Sequence, residues 1–223
     1  MDTSFDKTWN DVYSSGNSIN EYPFTDFVSF FSNNFSNKEK KLNILEVGCG
    51  AGNNLVFLAK KGHNVFGVDG SKEIIDYTIK KFSDLNLTGN FINCEFTELP
   101  YDDNFFDLII NRAAICHTDF FNANIAIKEC NRVIKPKHIF YSTFFTNLNT
   151  FKANKIDFGF YNNFKEGFKN IGALKFYNVF ELRSLFEKNN FTITNLYLIE
   201  KKDMLSIPSQ QNSEWILHSE KME

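Results

Sequence analysis

Between residues 42 and 145 short apolar runs alternate with stretches of helical spacing. Leu42 to Val47 reads as a buried parallel strand, and Asn53 to Lys61 as a helix with Leu55, Leu58 and Ala59 on one face. Asn64 to Asp69 is a second strand, followed by a helix from Ser71 to about Ser83. A third strand covers Asn90 to Cys94 and a fourth Phe106 to Asn111. A helix from about Phe120 to Val133, ended by Lys135-Pro136, leads into a fifth strand, His138 to Phe145. This βαβα order specifies an α/β fold, a doubly wound parallel sheet with helices on both faces.

The flanks follow other patterns. Phe5 to Ser14 reads as a short amphipathic helix carrying Trp9, Val12 and Tyr13, Gly16 to Glu21 as a loop, and Pro23 to Asn34 as a second helix with Pro23 in its first turn. Residues 146 to 176 are irregular, punctuated by Gly159, Gly167 and Gly172. Yet Phe151, Phe158, Phe160, Phe164 and Phe168 make this stretch too apolar for a solvated coil, so a partly ordered cover over a site is expected. Asn178 with Glu181 forms a capping-box pattern before a helix from Val179 to Asn189. Phe191 to Lys201 and Glu214 to Glu220 read as closing strands around a turn region, 202–212. The whole, 1–223, is expected to be one domain: a helical cap (1–40), an alternating core (41–145), an insert (146–176) and a C-terminal helix with strand hairpin (177–223).

Composition narrows the class. Hydrophobic residues make up 43% and charged residues 23%, and 27 of the 223 residues are Phe, so the core is expected to be aromatic-rich. A net charge of −3 leaves no basic footprint for nucleic acid, and the brief Lys38 to Lys41 cluster, broken by Glu39, reads as a solvated loop. Cys49, Cys94, Cys116 and Cys130 lack C-x-x-C spacing and read as reduced thiols. No apolar run approaches the ~18 residues of a membrane span, and Met1 to Asn10 lacks signal-peptide character. A cytoplasmic protein, with neither a nucleic-acid nor a membrane partner, is the default.

Candidate chemistry begins where the first strand ends. Ile44-Leu45-Glu46-Val47-Gly48-Cys49-Gly50-Ala51-Gly52-Asn53 carries three glycines at alternate positions between strand and helix. Glycine lets backbone approach a ligand closely, although a plain tight turn would also explain the pattern. Asp69 ends the second strand about 20 residues beyond Gly48, the offset of a ribose-binding carboxylate. An ionised carboxylate accepts two hydrogen bonds and so suits a vicinal diol; capping the helix at Ser71 is the alternative. Together the two features favour a bound nucleoside. A dinucleotide fingerprint would need glycine where Asn53 stands, and Glu46 would add like charge beside a pyrophosphate, whereas it suits a cationic ligand.

At these residues the chain resembles the class I S-adenosylmethionine-dependent methyltransferases, whose first motif has the form (Asp/Glu)-x-Gly-x-Gly-x-Gly. Glu95-Phe96 stands where that family places an acid and an apolar residue around the adenine, although the acid is often Asp. Leu99-Pro100-Tyr101-Asp102-Asp103-Asn104-Phe105-Phe106-Asp107 resembles the segment leading into the family's fourth strand. The resemblance implies a Rossmann-like, seven-stranded, mostly parallel sheet with an antiparallel last strand and an N-terminal helical cap. It also implies S-adenosyl-L-methionine as cofactor, held by Glu46, Gly48, Gly50, Gly52, Asn53, Asp69, Gly70, Ser71, Glu95, Phe96 and Asn111. Trp9, Tyr13, Tyr22, Arg112 and Tyr161 are the candidates to face an acceptor.

Methyl transfer from a sulfonium is an in-line displacement, so positioning is the main task and a base is needed only for a weak nucleophile. His117, just beyond the fourth strand, is the candidate catalytic base, with a structural role as its alternative. His63, His138 and His218 read as surface or packing residues, and no metal-ligand spacing occurs. The implied activity is methylation of a small molecule, with a sugar or surface-polysaccharide precursor as one acceptor class, by a monomer or homodimer. The rivals are an aminopropyltransferase, an NAD-dependent oxidoreductase, or a cofactor-binding subunit without turnover.

Overall fold

A computed structural model describes residues 5–35, 40–150, 154–164, 171–205 and 211–223. Two helices, α1 (Thr8–Ser14) and α2 (Thr25–Phe35), precede the alternating core. The core runs β1 (Asn43–Val47), α3 (Asn53–Lys60), β2 (Asn64–Asp69), α4 (Lys72–Asp84), β3 (Asn90–Asn93) and β4 (Phe106–Arg112). A 3-10 turn (Ile115–His117) leads to α5 (Phe120–Val133) and β5 (Ile134–Phe145). The sheet order is β3-β2-β1-β4-β5-β10-β9, with β9 (Phe191–Lys202) and β10 (Gln211–Lys221) closing it. The expected Rossmann-like sheet is therefore present. β10 is the antiparallel strand and lies between β5 and β9 rather than at the rim.

Alternation along the strands divides the core in two. Leu45 and Val47 of β1, Ile109 of β4, and Phe140 and Phe144 of β5 face α5 and α6 (Val179–Glu187). Ile44, Leu108, Ile110 and Tyr141 point to the other side, where α2 supplies Phe27, Phe31 and Phe35, and α3 supplies Leu55 and Leu58. Much of this filling is aromatic: the Phe27 ring meets Tyr141 edge-on at 5.4 Å.

Three expectations need correction. Pro23 lies outside α2: Val28 N–H donates to Phe24 O, so the helix is capped at Phe24 and begins at Thr25. β5 begins at Ile134 rather than His138, so α5 ends at Val133 as expected but passes straight into a strand that contains Lys135 and Pro136. The insert is more regular than its composition suggests, with β6 (Asn154–Asp157), β7 (Phe160–Asn162) and β8 (Leu174–Lys175) forming a small antiparallel sheet. Phe151, Gly167, Phe168, Lys38 and Glu39 lie outside the described residues.

Lys175 explains the order in the insert. It is only 2% exposed, donates to Phe158 O at 3.2 Å and pairs with Glu181 at 2.8 Å. Glu181 in turn completes the capping box of α6 with Asn178. A buried ammonium must be matched by such partners, so the β6–β7 hairpin, β8 and α6 are tied together at one point.

Candidate functional site

Beyond the carboxyl ends of β1, β2 and β4 a cavity of about 380 Å³ opens. Its floor is the turn between β1 and α3. Gly48 takes φ +63°, and a Cβ there would lie 2.2 Å from the Ala114 Cβ, so only glycine fits. A Cβ on Gly50 would instead point toward the Tyr13 hydroxyl at 3.5 Å, leaving a cradle between turn and α1.

Asp69 straps this turn. Its Oδ2 accepts from Gly50 N–H at 3.1 Å and its Oδ1 from Ser71 N–H at 3.0 Å. Burial pushes its pKa up to about 6 against the pull of those two donors. Each oxygen keeps a lone pair free for a ligand hydroxyl. Glu46 is more exposed to electrostatic cost. Its Oε1 accepts from Asn54 Nδ2 at 2.7 Å, while its buried Oε2 has no hydrogen-bond partner. Burial drives its pKa up to about 8, despite Asn54 and the Arg112 charge and with the help of Asp69. A buried carboxylate oxygen left unpaired at a cavity wall fits a cationic ligand.

The other wall is aromatic. Trp9 and Tyr13 of α1 lie 5.3 Å apart, and Trp9 meets the His117 ring edge-on at 4.6 Å. Arg112 reaches the cavity with its charge already matched: Nη1 pairs with Glu214 at 3.0 Å and bonds Thr143 Oγ1, and the guanidinium lies 4.1 Å from the Phe24 ring centre. His117 Nδ1 lies 3.1 Å from Ala173 O, and burial lowers its pKa to about 4 against that bond and the Asp6 charge.

Of the expected residues, Glu46, Gly48, Gly50, Asn53, Asp69, Gly70, Phe96, Trp9, Tyr13, Arg112 and His117 line this cavity. Others do not. Gly52 packs beneath the turn, where a Cβ would lie 2.8 Å from Thr78 Cγ2. The Ser71 hydroxyl is spent on Glu73 at the start of α4. Asn111 faces inward, its Oδ1 accepting from Ala114 and Ile115 N–H at 3.0 Å, so it shapes the turn after β4 and does not line the cavity. Glu95 lies outside the lining that its neighbour Phe96 joins. Tyr22 is 81% exposed and contributes only its carbonyl, which holds Asn53 Nδ2 at 2.8 Å. Tyr161 packs on Phe176 within the insert, ring centroids 5.7 Å apart. The sequence reading missed Phe5, Asp6, Phe24, Phe145 and Ile171. Only Asp6, an acid just before a helix, carried any local signal.

Residues 44–137 match the protein family described as a methyltransferase domain. Over those residues the chain is similar to a methyltransferase domain. A curated relative, a cycloartenol-C-24-methyltransferase of Arabidopsis thaliana, is 32% identical over 104 residues, which are 44% of this chain and 29% of the relative. The chain thus spans about three tenths of that relative's length. Among solved structures, a SAM-dependent methyltransferase from Methanosarcina mazei superposes with a TM-score of 0.73 at 20% identity, covering 90% of this chain and 99% of that one. The 1,6-didemethyltoxoflavin-N1-methyltransferase of Burkholderia thailandensis, solved with 1,6-didemethyltoxoflavin and S-adenosylhomocysteine, gives 0.71 at 13% identity, covering 100% and 94%.

The family match over residues 44–137 is to a methyltransferase domain, not to an aminopropyltransferase or an oxidoreductase. Among the described residues no group of three or more His, Cys, Asp or Glu could hold a metal ion. No described helix is long and apolar enough to cross a membrane.

Proposed function

We propose that the chain transfers a methyl group from S-adenosyl-L-methionine to a small-molecule acceptor enclosed beneath α1. The unpartnered Oε2 of Glu46, buried at the wall of the cavity above the glycine turn, is the observation that carries this reading. When bound, the cofactor supplies an electrophilic methyl carbon on a sulfonium. Glu46 meets the positive charge, Asp69 accepts from ribose hydroxyls with its remaining lone pairs, and Gly70 and Phe96 border the nucleoside. Trp9, Tyr13 and Phe24 exclude water and hold the acceptor against the reacting carbon, which is the greater part of the catalysis such a displacement needs.

A sugar is one acceptor class for this site, because its apolar face stacks on Trp9 and Tyr13. A nucleotide-activated sugar suits it less, since its pyrophosphate would meet no unmatched cation. The reading takes the protein as a cytoplasmic monomer or homodimer without nucleic-acid or membrane partners, in keeping with a net charge of −3.

Calorimetric titration tests the cofactor: S-adenosylhomocysteine is expected to bind and NAD is not. Asp69→Ala is expected to weaken that binding by roughly 1–3 kcal/mol; unchanged affinity would leave Asp69 as a strap for the turn alone. Turnover of the cofactor is then screened over free sugars, nucleotide sugars, phenols and azoles. Binding without transfer to any of them would favour a silent subunit.

A further inference from the structure

The backbone of Ala173 joins two parts of the cover that are far apart in sequence, through the N–H of one peptide group and the carbonyl of the next. Its N–H donates to Asp6 Oδ2 at 2.9 Å, and its carbonyl oxygen lies 3.1 Å from His117 Nδ1. A carbonyl only accepts, so the His117 proton must sit on Nδ1. Nε2 then presents a bare lone pair, with no partner among the described residues, on a ring that lines the cavity beside Trp9. Asp6 is itself fixed, because its Oδ1 accepts from Thr8 N–H at 3.0 Å. Gly172 lets the carboxylate in: a Cβ there would stand 2.1 Å from Asp6 Oδ2.

The charges around this ring limit what can lie against it. Asp6, Glu46, Asp69 and Arg112 are the charged side chains lining the cavity, and Tyr13 adds a phenol. Arg112 is neutralised by Glu214, so Asp6, Glu46 and Asp69 face no spare protein cation, and the positive charge of a bound cofactor is already taken by Glu46. An acceptor bearing phosphate or carboxylate would meet like charge in a half-dry space. A protonated amine has no lone pair to methylate. What remains is a neutral molecule, flat enough to lie among Trp9, Tyr13 and Phe145, with an N–H or O–H directed at Nε2.

We infer that the acceptor is an uncharged azole, lactam or phenol whose proton passes to His117 Nε2, and that Asp6, by anchoring the backbone on either side of the Ala173 Cα, is the positioning residue that keeps this nitrogen bare; the inference rests on the methyltransferase reading above. The acceptor heteroatom bonds to the methyl carbon as the carbon–sulfur bond breaks, sulfur keeps the electron pair, and the acceptor's proton ends on Nε2 and leaves to solvent. Burial keeps the ring neutral and able to accept a hydrogen bond but weakens it as a base, so Nε2 orients the acceptor's N–H or O–H and takes the proton only as positive charge develops on the methylated heteroatom.

Three measurements test this. Long-range 15N NMR of the cofactor-free protein is expected to show His117 protonated on Nδ1 and titrating well below 6.5. Protonation on Nε2, or a midpoint near 6.5, would overturn the inference. Asp6→Asn and Gly172→Ala are each expected to mix the two tautomers and lower kcat about tenfold with KM for the acceptor little changed; equal kcat with an unmoved tautomer would overturn the role of Asp6. Finally, benzimidazole and 7-hydroxycoumarin are compared with UDP-glucose as acceptors, and His117→Gln is expected to slow the neutral pair on the order of 10²-fold. Preference for UDP-glucose would overturn the acceptor class. Failure of S-adenosylhomocysteine to bind would instead sink the underlying methyltransferase reading, so the two failures are told apart.

Discussion

Glu46→Gln is expected to melt above the wild type at pH 8 while binding S-adenosyl-L-methionine more weakly. Burial raises the Glu46 pKa from an ordinary 4.5 to about 8 in the folded chain. Below about pH 4.5 the group is neutral in both states and is without effect. As pH rises toward 8 the unfolded chain ionises and the folded chain does not, so stability falls by up to about 1.4 kcal/mol per pH unit. Summed over that window the loss is on the order of a few kcal/mol. Glutamine has no proton to lose and can keep the bond from Asn54. Thermal melts at pH 5 and pH 8 check this: the advantage of the variant should widen with pH, and a constant gap would refute it. A cationic cofactor beside Glu46 should draw the proton off, so affinity should climb with pH to about 8. Calorimetry in buffers of different ionisation heat should detect the released proton in the wild type and not in Glu46→Gln.

Gly48→Val should damage both fold and site. A β-branched residue at φ +63° is a backbone outlier, and left-handed geometry alone costs about 1–2 kcal/mol. The added carbon would also overlap Ala114 Cβ at 2.2 Å, for overpacking of about 1–3 kcal/mol. Together roughly 2–5 kcal/mol should be lost in urea denaturation, and S-adenosylhomocysteine affinity should collapse as the turn shifts. A milder double variant separates the causes. Gly48→Ala combined with Ala114→Gly relieves the overlap and leaves the backbone strain, so partial recovery is expected. Complete recovery would mean that the strain is absent.

The core was legible because its signals are local. Each apolar run from Leu42 to Val47, Asn64 to Asp69 and Phe106 to Asn111 is bounded by glycine, a charged residue or a cap within a few positions. Glu46, Gly48, Gly50 and Asp69 could be assembled from spacing, since strand ends in such a sheet converge. What failed was direction and distance. An aromatic identity says nothing of which way a ring points: Tyr22 reaches solvent and Tyr161 the interior of the insert. Asn111 sits at the expected strand end, yet its Oδ1 is consumed by the following turn and its Nδ2 turns to Thr143 O of β5. Asp6 and Phe24 become parts of the site only when segments remote in sequence fold across it, the carboxylate meeting Ala173 and the ring meeting Arg112. The burial of Lys175 was illegible for the same reason, because Glu181 and Phe158 O are partners that only the folded insert supplies.

The seating of β10 between β5 and β9 bears on how the molecule is made. A ribosome delivers β9 first, but among the described residues its one neighbour in the sheet is the strand translated after it. Until residues 211–221 emerge, β9 has no hydrogen-bonding row to join and β5 shows a bare flank. Nascent chains stalled before that point should therefore attract holdase chaperones, and release should coincide with the arrival of the final strand.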